Sequence, residues 1–154
     1  MIYAWSVNTL RAATVVLVMG LAMSLLPGCG GSGRTPEDAS AASRAAANRR
    51  LQGTWVLASF QSEVPLEAML QGLLAVQVGH LRVTFDGDRI NALGPGVSAT
   101  RQYVVTDAAF QRAKVTVYDD GIPYQVDGEF QGNQIAFHAL TSPWRGTGTL
   151  VRAR

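Results

Sequence analysis

The sequence has little of the chemistry that most enzymes and metal sites use. Cys29 is the only cysteine among 154 residues, so no disulfide can form within the chain, and His80 and His138 are the only histidines. No Cys/His cluster has the spacing of a zinc site, and no serine lies in the G-x-S-x-G pattern of a nucleophile elbow. Asp86-Gly87-Asp88 begins like a calcium loop, but Ile90 occupies the third ligand position. We therefore predict no catalytic residue, no metal and no cofactor, and a protein that is not an enzyme.

Charge is also scarce. Charged residues make up 16% of the sequence, the formal net charge is +2, and Lys114 is the only lysine. Soluble domains usually contain about a quarter charged residues. A balance this close to neutrality gives no long-range attraction for a polyanion. The composition therefore predicts no nucleic-acid partner.

The main apolar run near the N-terminus is too short for a typical membrane-spanning helix. It covers residues 12–26, whereas a spanning helix needs about 20 apolar residues. Arg11 precedes the run, and Pro27-Gly28, which break helices, end it. A basic residue, a short apolar region and a small residue before the cut are typical of a secretory signal peptide. The pattern predicts a leader at residues 1–28.

The end of this leader carries a resemblance to a known class of protein. Leu26-Pro27-Gly28-Cys29 resembles the lipobox of bacterial lipoproteins. The resemblance implies that Cys29 receives a diacylglyceryl group and becomes the first mature residue, which places the protein on membrane lipid in the cell envelope. Gly30 in the second mature position resembles the pattern that directs lipoproteins to the outer membrane. A plain membrane anchor and an ordinary signal peptide are the alternatives.

Residues 29–50 are predicted to form a tether that is flexible at first and then helical. Glycine and serine dominate its start, as in flexible linkers. Thr35 followed by Pro36 is a typical start of a helix, and the alanine-rich segment that follows has no wide apolar face. We expect this helix to act as a spacer. The alternative is that Arg44, Arg49 and Arg50 contact lipid head groups.

Beyond residue 50, apolar and polar residues alternate, which is the pattern of half-buried strands. Val83 and Phe85 flank Thr84, for example, and turn-forming pairs such as Gly132-Asn133 separate the runs. The pattern predicts eight strands, at residues 54–60, 80–85, 89–93, 100–106, 114–118, 124–131, 134–140 and 144–151. Because most connections have hairpin length, we expect residues 51–154 to form a mainly β domain, an antiparallel up-and-down barrel.

One segment between the first two predicted strands has helical periodicity instead. After Pro65, apolar residues recur at the spacing of a single helix face, and they are Leu66, Met69, Leu70, Leu73 and Leu74. A short amphipathic helix must bury this stripe against the barrel. It would act either as a plug that completes the core, which we expect, or as a lid over an open end.

The start of the predicted barrel resembles a second family. Leu51-Gln52-Gly53-Thr54-Trp55 resembles the Gly-x-Trp opening of lipocalin-like, calycin-type barrels. The resemblance implies that Trp55 closes the barrel base beneath a basic residue of the last strand, for which Arg145 and Arg152 are the candidates. It also implies a small hydrophobic ligand in the interior. The candidate lining residues are aromatic: Trp55, Phe85, Tyr103, Tyr124, Phe130 and Phe137.

Two functional hypotheses follow from these patterns. The first is a membrane-anchored binding module that holds a small hydrophobic molecule inside the barrel. The second is a non-catalytic structural or interaction module with a filled barrel, whose envelope partner the sequence does not identify. An apolar cavity of about 300 Å³ or more beneath the amphipathic helix would favour the first hypothesis, and a packed interior would favour the second.

Overall fold

The computed structural model describes residues 35–154, which form two helices and eight strands. Their bounds are α1 Pro36–Leu51, β1 Gly53–Ser62, α2 Ala68–Gln77, β2 Arg82–Asp86, β3 Arg89–Gly94, β4 Val97–Ala109, β5 Arg112–Asp119, β6 Ile122–Gln131, β7 Gln134–Ala139 and β8 Gly146–Arg152. The predicted leader, Cys29 and the glycine-rich start of the tether lie outside the described residues. No helix within residues 35–154 is long and apolar enough to cross a membrane.

The eight strands form a closed antiparallel barrel in sequence order, with β8 paired to β1. This confirms the predicted fold, and each predicted strand overlaps an observed one. The largest difference is β4, which has 13 residues. Arg89, the first residue of β3, pairs with Gln102, so the remainder of β4 pairs with β5 alone. The β4–β5 hairpin therefore extends past the end of β3.

The antiparallel order gives the barrel two different ends. The base contains the entry into β1, the exit from β8 and the turns that follow β2, β4 and β6. The mouth contains the connections that follow β1, β3, β5 and β7, the first of which includes α2. At the mouth, Asp120 and Gly121 have φ values of 49° and 84°, as both central residues of a type I′ hairpin turn do.

Helix α1 begins as predicted. Thr35 caps it, since its hydroxyl accepts a hydrogen bond from the N–H of Asp38 at 3.2 Å, and the carboxylate of Asp38 accepts one from the N–H of Thr35 at 3.2 Å. The hydroxyl of Thr35 also donates to the carboxylate of Asp38 at 2.7 Å, and this bond, together with the one from the N–H of Thr35, holds the pKa of Asp38 below its usual range. Such a capping box satisfies backbone donors that would otherwise have no partner.

The end of α1 is part of the barrel core, whereas the sequence predicts a spacer. Ala47 and Leu51 are buried in one cluster with Trp55 and Phe130. The guanidinium carbon of Arg50 lies 4.1 Å from the centroid of the Phe130 ring, and its Nη1 donates to the carbonyl of Phe110 at 3.1 Å. Because only the last turns of α1 contact the barrel, the two buried side chains of Ala47 and Leu51 are enough to attach the helix to the core. Arg50, one of the three arginines of the alternative prediction, therefore contacts the barrel.

Tyr103 connects α1 to the base. Its side chain is 2% exposed, and its hydroxyl donates to Oδ1 of Asn48 at 2.5 Å and accepts from Nε2 of Gln52 at 2.8 Å. The ring stands edge-on to Phe85 with centroids 5.3 Å apart. Burial raises the pKa of Tyr103, and the nearby aspartates of the β2–β3 turn add to the rise, while the bond from Gln52 opposes it.

We predict that part of the stability of this domain is lost at alkaline pH and that Tyr103→Phe removes this part. The folded state favours the neutral hydroxyl, whereas a tyrosine in the unfolded chain ionises at about pH 10. The contribution is therefore complete below about pH 10 and is lost as the pH rises through the folded pKa. Urea unfolding at about pH 8 should show the variant less stable by about 1 kcal/mol. At about pH 11 the difference should shrink, and the exposed Tyr118→Phe should show no such change; a difference independent of pH would contradict the prediction.

Helix α2 begins at Ala68, three residues after Pro65, where the sequence predicts its start. Leu66, Leu70 and Leu74 are partly buried, but Met69 is 83% exposed and Leu73 is also exposed. The predicted burial of the whole stripe is therefore wrong. None of the buried apolar core residues of the described chain belongs to α2, so the helix does not complete the core as a plug.

The C-terminal end of α2 is fixed to the barrel. The side chain of Gln77 is buried and donates from Nε2 to the carbonyl of Pro95 at 2.8 Å. The N–H of Leu81 donates to the carbonyl of Gln77 at 2.8 Å, and the N–H of Gly79 donates to the carbonyl of Leu57 at 2.6 Å. These bonds position the last turn of α2, and with it Leu74, beside the mouth.

Candidate functional site

The interior of the barrel contains a cavity of about 300 Å³. Its walls contain no charged, hydroxyl or amide side chain. The residues that line it are Leu51, Leu57, Phe60, Leu74, Leu81, Val83, Phe85, Ile90, Ala113, Val115, Val117, Val126, Gly128, Phe130, Ile135, Phe137, Ala139, Trp144 and Leu150. The volume lies at the lower end of the range for small-molecule sites, about 300–1,000 Å³, which are typically concave and mostly apolar.

The cavity arises from the alternation of side chains along the strands. Val115 and Val117 on β5 and Val126 on β6 point inward, as residues two apart on a strand do. Leu51 from α1 contributes to the lining from the base, and Leu74 from α2 contributes from the mouth. The cavity therefore extends from the closed base towards the end of the barrel that α2 borders.

Three of the six aromatic residues that we predicted as lining are in the cavity wall: Phe85, Phe130 and Phe137. The other three lie elsewhere. Trp55 and Tyr103 are buried at the base, where their polar side-chain atoms are hydrogen-bonded. Tyr124 lies at the mouth, in the wall of a separate chamber.

The base is closed by Trp55 and Arg152. Nε1 of Trp55 donates to the carbonyl of Leu51 at 2.7 Å, and the guanidinium carbon of Arg152 lies 4.4 Å from the indole centroid. Arg152 also donates to the carbonyls of Gln52 and Arg50, at 3.1 Å and 3.0 Å. Arg145, the other candidate for this role, lies at the mouth, where its Nε contacts a carboxylate oxygen of Glu63 at 2.9 Å. The strand register decides between the two arginines, since Trp55 pairs with Arg152.

Two aromatic residues of the cavity wall were not among the candidates. The first is Phe60, whose ring is stacked on that of Phe137 with centroids 6.1 Å apart, and the second is Trp144, which lies at the mouth. Phe137 has room because Gly148 has no side chain: a Cβ atom there would lie 2.5 Å from the Phe137 ring. The glycine on the inward face of β8 was the available sequence signal, since glycine within a strand often marks close approach of a neighbour.

Apolar side chains surround the mouth. Ten large apolar side chains are exposed within the described residues, and eight of them belong to the mouth. These eight are Met69, Leu73, Val76, Leu93, Tyr118, Ile122, Leu140 and Trp144. Val104 and Phe110 are the other two. Exposed apolar surface concentrated around an apolar cavity is typical of a binding site rather than of scattered surface residues.

A second chamber of about 240 Å³ opens at the mouth beside the main cavity. The two share Val117, Val126, Ala139 and Trp144 as walls. Unlike the main cavity, the chamber has polar residues, namely Arg101, Asp119, Tyr124, Gln125 and Thr141. Polar groups at this mouth therefore lie directly beside an apolar interior.

The remaining charges lie mostly on the outer surface. A groove of about 1050 Å³, the largest depression described, follows the outer face of β5 to β8 and is lined by residues that include Lys114, Asp127 and His138. His138 Nε2 lies 2.8 Å from a carboxylate oxygen of Glu63, which also pairs with Arg145. Opposite charges alternate across this groove, and within residues 35–154 no three potential metal ligands lie together. We therefore place the candidate site in the interior rather than in this larger groove.

The arrangement suits binding better than chemistry. An apolar compartment excludes water, and its polar groups are confined to the mouth. No protein-family model, curated protein or solved structure matches the chain.

Proposed function

We propose that this protein is a bacterial lipoprotein whose barrel binds a small hydrophobic molecule and which has no enzymatic activity. The observation that carries the binding proposal is the apolar cavity of about 300 Å³. A packed interior would favour the alternative of a filled interaction module, and a cavity of this volume supports binding instead. The resemblance of Gly53-Thr54-Trp55 to the opening of lipocalin-like barrels supports the same proposal.

The proposed anchor is Cys29, and its support is the sequence Leu26-Pro27-Gly28-Cys29. Acylation at this position would bury hydrocarbon chains in the bilayer, and each buried CH₂ contributes about 0.8 kcal/mol. Two or three chains give a stable attachment. The proposed location is the cell envelope, on the outer membrane, with membrane lipid as the one partner that the sequence indicates.

The cavity sets the expected size and affinity of the ligand. A CH₂ group is similar in size to a water molecule, about 30 Å³, so a volume of about 300 Å³ holds about ten carbon atoms. Burying them yields roughly 8 kcal/mol, from which the loss of translational and rotational freedom subtracts at least about 4 kcal/mol. The remainder of at most about 4 kcal/mol corresponds to a dissociation constant of about 1 mM for the hydrocarbon part alone.

Native mass spectrometry of the intact protein, purified from the cell envelope of the producing organism, tests the proposal directly. The expected result is an additional mass of a small apolar molecule that is lost when the barrel unfolds. Absence of any such mass would favour the filled interaction module.

A substitution that fills the cavity should abolish binding. Val115 lines the cavity near its middle, and Val115→Trp should weaken binding of the apolar fluorophore N-phenyl-1-naphthylamine by at least about tenfold, because the indole occupies the ligand volume. Overpacking should lower the free energy of unfolding by about 1–3 kcal/mol. Val104→Trp is the matched control, since Val104 is exposed on the neighbouring strand β4. Equal binding by both variants would place the fluorophore outside the cavity.

A further inference from the structure

The strongest unexplained feature of the interior is an ion pair at the mouth. Arg101 and Asp119 lie on neighbouring strands, and Nε of Arg101 contacts Oδ1 of Asp119. The register pairs Gln102 of β4 with Tyr118 of β5, so Arg101 and Asp119 face each other one residue further towards the mouth. Their side chains are only 37% and 40% exposed.

Both residues are on the inward face of the barrel. Arg101 lies on the same face of β4 as the buried Tyr103, two residues further on, and Asp119 follows Val115 and Val117 on the inward face of β5. A charged pair on the apolar face of two strands has a desolvation cost that an outward position would avoid. The pair therefore needs an explanation beyond the stability of the fold.

The pair lines the chamber that adjoins the main cavity. Val117, Val126 and Trp144 are walls of both compartments. A molecule with its apolar part in the main cavity can therefore place a polar end beside Arg101 and Asp119. We propose that this pair is the head-group site for the ligand of the barrel and that it selects an uncharged polar head, such as a hydroxyl or a primary amide. The inference rests on the proposed binding function.

The hydrogen-bonding capacity of the pair supports an uncharged head. A guanidinium has five N–H donors, and within the described residues Arg101 directs one to the carbonyl of Thr100 at 3.0 Å, while its Nε contacts Oδ1 of Asp119, a buried oxygen that has no hydrogen-bond partner there. The remaining donors suit an acceptor oxygen of the ligand. The second carboxylate oxygen of Asp119 suits a donor. A hydroxyl or amide group supplies both an acceptor and a donor.

The charges around the pair disfavour an ionised head. Arg101 and Asp119 neutralise each other. An anionic head would therefore be repelled by Asp119, while a cationic head would be repelled by Arg101. An uncharged head makes its hydrogen bonds without either repulsion.

Displacement of N-phenyl-1-naphthylamine by four decyl compounds tests this inference. A chain beginning at Gly33 is suitable, because residues 35–154 contain the closed barrel and its core. At about pH 7.5, decanol and decanamide should displace the fluorophore at concentrations about tenfold lower than decanoate and decylamine do.

Two variants should change this order in opposite directions. Asp119→Asn leaves the charge of Arg101 without its carboxylate, so the affinity for decanoate should rise about tenfold while that for decanol changes little. Arg101→Met should weaken decanol binding about tenfold and strengthen decylamine binding. Asp127→Asn is the matched control. Asp127 lines the groove on the outer face of the barrel, so this change should leave all four affinities unchanged.

The outcomes separate this inference from the function on which it rests. If decyl compounds bind but neither Asp119→Asn nor Arg101→Met changes their order, the pair is not the head-group site, and the cavity still binds apolar molecules. If neither the fluorophore nor any decyl compound binds to the unsubstituted domain, the proposed binding function itself is wrong.

Discussion

Replacing Trp55 by alanine is expected to lower the free energy of unfolding by about 3–5 kcal/mol, the usual cost of removing a large aromatic side chain from a core. Trp55 is 1% exposed and is the largest fully buried side chain in the described part of the chain. It lies in β1, which pairs with both β2 and β8, so its removal leaves a cavity where the barrel closes. Since small domains have a total stability of about 5–15 kcal/mol, this variant should be close to unfolding.

Two groups lose a partner together in this variant. The carbonyl of Leu51 loses the N–H of the indole, and Arg152 loses the ring over which it lies. A buried carbonyl without a donor costs about 1–3 kcal/mol. The loss should therefore exceed that expected from apolar area alone.

Urea unfolding of the chain beginning at Gly33 measures this effect, with Trp144→Ala as the control. Trp144 is 39% exposed at the mouth, so its removal should cost less than about 1 kcal/mol. It should nevertheless weaken ligand binding, because Trp144 lines both the cavity and the adjoining chamber. Equal losses of stability in the two variants would show that Trp55 does not close the base in the way described.

The strands of this barrel were predictable because their signals are local. Alternation in residues such as Val83, Thr84 and Phe85 depends on two or three neighbours along the chain, and turn sequences such as Asp120-Gly121 fix hairpin connections. Antiparallel closure then follows from eight strands joined by short connections. The C-terminal end of β4 was missed because Ala108 and Ala109 have weak strand propensity and take their conformation from pairing with β5.

The two helices show where local signals are insufficient. Helix α1 was predicted correctly as a helix, but its docking depends on Ala47 and Leu51 meeting residues far along the chain. Which residues of α2 face the barrel depends on the hydrogen bond from the side chain of Gln77 to the carbonyl of Pro95, 18 residues away. Neither contact is visible in a helical periodicity, which reports only which residues share a face.

The candidate site was predictable in part. Phe85, Phe130 and Phe137 occupy inward strand positions, and alternation identified them. The volume of the cavity depends on the sum of many side chains, among them the small Ala113 and Gly128, and no single motif encodes it. Arg101 had a usable signal, because it lies on the same strand face as Tyr103 and Val105, where an apolar residue is expected.

Replacing Cys29 by serine is expected to abolish both lipid labelling and membrane attachment of this protein. The proposed anchor requires a thioether bond to a diacylglyceryl group, and the thiol of Cys29 is the only thiol in the sequence. A serine hydroxyl has nearly the same size but does not replace the thiolate as a nucleophile. The change thus removes the chemistry while preserving the leader sequence around it.

Growth with a labelled fatty acid, followed by separation of membranes and a high-salt wash, measures the effect. The unsubstituted protein should be labelled and found with the membranes, and the Cys29→Ser protein should lack the label. Ser32→Ala, three residues further along the predicted tether, is the control and should behave like the unsubstituted protein. A labelled, membrane-bound Cys29→Ser protein would contradict acylation at this position, and an unlabelled one that stays in the membrane would show that residues 12–26 anchor the chain by themselves. Because Val115→Trp acts in the barrel interior, it should leave labelling intact while it removes ligand binding, so the anchor and the cavity can be tested independently.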